Sequence, residues 1–113
     1  IRRWLAGDLA ARRQELLGIF GIGPETADSI LLYAGDRPAF VIDAYTLRIG
    51  KRLGWFRHSD YHRAQTYLTA RLPHDHKLYN EFHALLVALA KAHCRVKPVC
   101  AGCPLAEDCR YAA

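Results

Sequence analysis

Four cysteines, Cys94, Cys100, Cys103 and Cys109, lie in the last twenty residues of a 113-residue chain. Their spacing is C-x5-C-x2-C-x5-C. Thiolates at this density suit soft metals. Zinc sites are typically built from two separated C-x2-C knuckles, and this segment has only one. Two disulfides in so short a span are another reading, but a disulfide framework normally spreads its cysteines through a small secreted chain. The pattern suits a compact loop wrapped around a [4Fe–4S] cluster with all four cysteines as ligands. His93, beside Cys94, is either an alternative ligand or an ordinary residue ending a helix.

Two further sets of residues carry chemistry. Gly21-Ile22-Gly23 sits between two helical patterns and is followed by Pro24, which suits a first helical position. Glycines bracketing an aliphatic residue allow a tight turn and leave backbone N–H groups free at the start of the second helix, a ready anion site. A DNA phosphate fits there without any base being read; a plain helical hairpin is the alternative. Asp43 precedes another helical pattern and reads as its N-cap. Twelve of the sixteen basic residues are arginine, and the net charge is +5, a balance that favours a polyanionic partner. Arg95 and Lys97 lie between the first two cysteines, where a pinned loop can offer them to phosphates; a solvated charged loop is the other reading. The six histidines form no ligand spacing, and the tryptophans and tyrosines read as core or rim.

The elements that must position these residues are helical. Asp8 caps a helix of about 9–19, with Leu9, Leu16, Leu17 and Phe20 on or near one face. A second helix runs from Pro24 through Ala27, Ile30, Leu31 and Ala34. Residues 39–42 form a short apolar run and the one strand candidate. Helices follow at about 44–53, from Ser59 or Asp60 to near Leu72-Pro73, and over 76–93, the last with Leu78, Phe82, Leu85, Leu86 and Leu89 toward a core. The reading is all-α. It divides into a helical region, 1–93, with its hairpin at about 16–34, and a cysteine loop with the C-terminus, 94–113. Hydrophobic residues make up 51% of the chain and charged ones 24%, a globular composition. No apolar run approaches the ~20 residues that a bilayer requires.

Residues 17–27, Leu-Gly-Ile-Phe-Gly-Ile-Gly-Pro-Glu-Thr-Ala, resemble the helix-hairpin-helix of the endonuclease III superfamily of DNA glycosylases. Val41-Ile42-Asp43-Ala44-Tyr45-Thr46-Leu47-Arg48 resembles that family's stretch around its catalytic aspartate, and the cysteine loop with Cys103-Pro104 resembles its iron–sulfur loop. The three motifs stand in the family's order. The resemblance implies the helix-hairpin-helix glycosylase fold, as a partial helical barrel. It implies Asp43 as the catalytic carboxylate, Gly21, Ile22, Gly23, Arg95 and Lys97 as DNA contacts, and Cys94, Cys100, Cys103 and Cys109 as ligands of a [4Fe–4S] cluster. The expected substrate is double-stranded DNA with a damaged or mispaired base, flipped out before its glycosidic bond is hydrolysed. A monomer in the cytoplasm, with no membrane partner, is expected. Arg48 matches a family arginine that serves helix packing.

Two departures stand out. The first gap between cysteines is one residue shorter than the family's pattern. The position where bifunctional members carry the Schiff-base lysine holds Glu25, and a carboxylate cannot supply that amine. The resemblance therefore points to the monofunctional branch. It also implies that members are longer, with an N-terminal half that supplies the DNA wedge and much of the base pocket, so the excised base is not legible here. A non-catalytic DNA-binding module, or an iron–sulfur or zinc protein unrelated to repair, are the competing classes.

Overall fold

The computed structural model describes residues 2–111. Among these residues six α-helices form: α1 (Arg2–Leu5), α2 (Leu9–Leu17), α3 (Pro24–Ser29), α4 (Ala44–Leu53), α5 (Tyr61–Thr69) and α6 (His76–Ala92). A π-helical turn, Ile30–Ala34, continues α3. No strand forms among the described residues, so the architecture is all-α, as expected. Among the described residues, no helix is long and apolar enough to cross a membrane.

Aspartates start four of these helices. The side chains of Asp8, Asp43, Asp60 and Asp75 each accept a hydrogen bond from a backbone N–H in the first turn, satisfying a donor that the helix leaves free. Gly54 ends α4 with φ of 84°, a left-handed conformation that glycine adopts without a Cβ penalty.

Two hydrophobic cores result. Leu5, Leu16, Ala27, Leu31 and Ala39 form one beneath the hairpin. Leu32, Phe40, Val41, Ile42, Ile49, Ala64, Leu68, Tyr79, Leu86 and Ala90 form the other among α4, α5 and α6. The molecule is correspondingly long, 47 × 24 × 22 Å.

The apolar run 39–42 is not a strand. It is a buried linking segment that passes from one core to the other. With no neighbouring strand, side chains serve its backbone: Gln65 donates to the Phe40 carbonyl at 2.9 Å, and the Ile42 N–H reaches the Tyr61 hydroxyl at 3.3 Å. Three other expectations are corrected. The first long helix stops at Leu17, which leaves Phe20 fully exposed at the hairpin tip. Helix α5 ends at Thr69, and the chain turns away before Pro73. Leu85 is 63% exposed, and Tyr79 and Ala90 take the core side of α6 with Leu86.

Candidate active site and cysteine loop

Asp43 caps α4 and does more than cap it. Its Oδ1 accepts from both the Thr46 N–H and the Thr46 hydroxyl, each at 2.8 Å. Its Oδ2 lies 2.9 Å from His83 Nε2, on α6. On the far side of that ring, Nδ1 lies 3.1 Å from the Tyr33 hydroxyl, in the π turn. The carboxylate is largely buried, its side chain 15% exposed. Burial alone would raise its pKa, but the bonds from His83 and Thr46 outweigh burial and hold it below the ordinary carboxylate value. Tyr33 shifts the other way: partial burial, and then the nearby Asp43 charge, raise its pKa.

The Asp43 cap was legible from its position before a helical pattern. His83 and Tyr33 were not. They lie 40 residues after and ten before Asp43, on elements whose packing brings them together. The π turn that carries Tyr33 left no signal, because its wider spacing is invisible to a helical periodicity.

The hairpin has the predicted form. Gly21 takes φ of 88°, the Ile22 N–H closes the turn on the Ile19 carbonyl, and Ile22 packs on the first core. No side chain caps α3, and a Cβ at Gly21 or Gly23 would meet nothing within 4 Å, so the turn is open to approach. The π turn continues directly from α3. That continuous stretch, residues 24–34, leads from the hairpin to Tyr33; Asp43 itself lies beyond the linking segment that follows. Glu25 is exposed in the first turn of α3.

The four cysteines are free thiols and line one small cavity of about 30 Å³ with Arg52, His93 and Tyr111. Among the described residues, no three His, Cys, Asp or Glu side chains are placed to hold a metal ion. The thiols surround a space instead of converging on a point. Arg52 from α4 fixes the start of this loop, donating to the carbonyls of Arg95 (2.5 Å) and Val96 (2.9 Å) and lying 3.4 Å from Cys94 Sγ. Arg48 donates to the Cys94 carbonyl at 2.8 Å, which matches its expected packing role. His93 ends α6, its Nδ1 2.9 Å from the Val99 carbonyl. Arg95 and Lys97 are both exposed, though Arg95 Nε bends back to the Lys91 carbonyl at 2.7 Å. Sequence reasoning did not pick out a second basic surface: Arg48, Lys51 and Arg52 line a groove of about 550 Å³ along α4.

Comparison with known proteins bears on this arrangement. No family model matches the chain. A protein of Methanocaldococcus jannaschii named "Putative DNA repair glycosylase MJ1434" is 48% identical over 103 residues, covering 90% of this chain and 47% of that protein. Endonuclease III of Sulfolobus acidocaldarius is 33% identical over 106 residues (92% and 47%), and endonuclease III of Bacillus subtilis 31% identical over 106 (92% and 48%). The chain spans about half the length of the curated relatives it matches. The helical hairpin, the capped aspartate and the cysteine loop stand in order on an all-α scaffold, and over about nine-tenths of its length the chain is similar to these DNA repair glycosylase and endonuclease III sequences.

Proposed function

We propose that this chain is the C-terminal part of a base-excision DNA glycosylase that hydrolyses the N-glycosidic bond of a damaged or mispaired base without forming a Schiff base. The observation that carries this reading is the Asp43 carboxylate, held ionised by three hydrogen bonds at the start of α4. An ionised carboxylate can stabilise the oxocarbenium-like sugar as the base leaves, or activate the attacking water. The hairpin residues Gly21, Ile22 and Gly23 would take a backbone phosphate on free N–H groups, and Arg95 and Lys97 would add contacts from the cysteine loop. Glu25 offers no amine for lyase chemistry. The substrate is duplex DNA with its target base flipped, and the working form is a cytoplasmic monomer.

Cys94, Cys100, Cys103 and Cys109 would hold a [4Fe–4S] cluster. Four half-buried thiols lining one cavity suit a cluster that takes one thiolate at each iron. Bound there, the cluster would supply cross-links that pin the loop carrying Arg95 and Lys97. Arg52 and Arg48 already tether that loop to α4.

Asp43→Asn is the direct test. Asparagine keeps an oxygen for the Thr46 N–H but removes the charge facing the sugar. Single-turnover assays on duplexes carrying a panel of damaged bases should show excision reduced by at least ~10²-fold, with DNA affinity kept or raised. Excision at the unaltered rate would reduce Asp43 to a helix cap and remove this function.

A further inference from the structure

We propose that His83 is the positioning residue of Asp43. Its ring, oriented from behind by Tyr33, would hold Oδ2 while Thr46 holds Oδ1, so the carboxylate keeps a single rotamer. The proposal rests on the glycosylase reading of Asp43 for its purpose, but not for its geometry.

The donors and acceptors fit only one neutral arrangement. An ionised carboxylate only accepts, so Nε2 must carry the proton that faces Oδ2 at 2.9 Å. In the neutral ring Nδ1 is then an acceptor, and the Tyr33 hydroxyl must donate to it across 3.1 Å. A phenol fixes an imidazole, and the imidazole fixes a carboxylate. This is the logic by which catalytic groups are commonly oriented by a third partner. Three separate elements contribute: the π turn, the N-terminus of α4 and the middle of α6. Tyr33 also packs edge-on to His83, with ring centroids 6.4 Å apart. The ring is thus held by contact as well as by a hydrogen bond.

The carboxylate can respond to few other groups. His83 from α6 and Thr46 from its own helix bond to it directly, and Tyr33 from the π turn stands behind His83. Among the described residues, no lysine or arginine forms an ion pair with Asp43. A cap alone needs only Thr46. A second bond, from a residue 40 positions away and itself backed by a third, exceeds what starting α4 requires.

The two ring nitrogens can be replaced separately. Glutamine places its amide near where Nε2 stands, and asparagine near Nδ1. His83→Gln therefore keeps a donor for Asp43, whereas His83→Asn keeps only the Tyr33 side. The experiment is a carbon-13 NMR titration of the Asp43 carboxyl in the full 113-residue chain, for the parent and both variants. Circular dichroism would verify that each is folded. His83→Asn should move the Asp43 titration to higher pH, and His83→Gln should return it most of the way. Tyr33→Phe should shift it in the same direction as His83→Asn, by less. Equal midpoints in parent and His83→Asn, or His83→Gln behaving like His83→Asn, would overturn the proposal. A shifted titration together with excision indifferent to Asp43→Asn would instead leave His83 in place and remove the glycosylase reading.

Discussion

The side chain of Asp43 serves two ends at once. Its Oδ1 closes a helix terminus and its Oδ2 is held by a histidine. The first role is local: it depends on residues three apart, and sequence spacing shows it. The second needs the long-range packing of α6 against α4, which no spacing along the chain encodes. That is why Asp43 was found and His83 was not. Glu25 lies in the first turn of α3, exposed and without an amine. The chain has only four lysines, Lys51, Lys77, Lys91 and Lys97, and none lies on the hairpin. Borohydride treatment of a mixture with abasic DNA should therefore trap no efficient covalent adduct. Strong trapping that disappears on mutating one of those lysines would place an amine at the sugar and contradict the hydrolytic reading.

At the level of elements, the helices were legible wherever an aspartate or a proline marks a start and an apolar stripe follows. Helix α4 occupies the predicted 44–53 for this reason, between Asp43 and the left-handed Gly54. The π turn was not, because its residues are as apolar and as helix-compatible as their neighbours; it is set apart by hydrogen bonding, as in the bond from the Gly35 N–H to the Ile30 carbonyl, five residues back. The linker 39–42 misled in the opposite direction, since burial on all sides gives a strand-like run of apolar residues with no strand beside it. The cysteine loop was legible as a unit from its spacing, but its tethers Arg48 and Arg52 lie more than 40 residues upstream. If those tethers and four thiols frame a cluster, the purified chain should contain about four irons and four acid-labile sulfides. About one zinc with no sulfide, or a disulfide between any two of these cysteines in fresh protein, would exclude it.

For the whole molecule, the positive balance matters more than any one side chain. The open hairpin, Arg95, Lys97 and the basic groove of α4 all offer contacts to phosphate, so the chain should bind duplex DNA weakly and without regard to sequence. Each phosphate neutralised adds about 0.9 to the slope of log affinity against log salt. Anisotropy titrations at several salt concentrations read that slope directly, and salt-insensitive binding would remove the phosphate contacts from the hairpin. The long shape carries a different consequence. Asp28 is wholly buried beside the hairpin core, where Arg13 of α2 grips both its oxygens at 2.8 and 3.1 Å. Tyr61 and Gln65 of α5 donate to the same carboxylate at 2.7 and 2.8 Å, and α5 belongs to the other core. Stripping partners from a buried charge costs about 3–5 kcal/mol. Separating α5 from the hairpin core would remove two of these donors at once, so the two ends of this molecule should unfold together, as a single calorimetric transition.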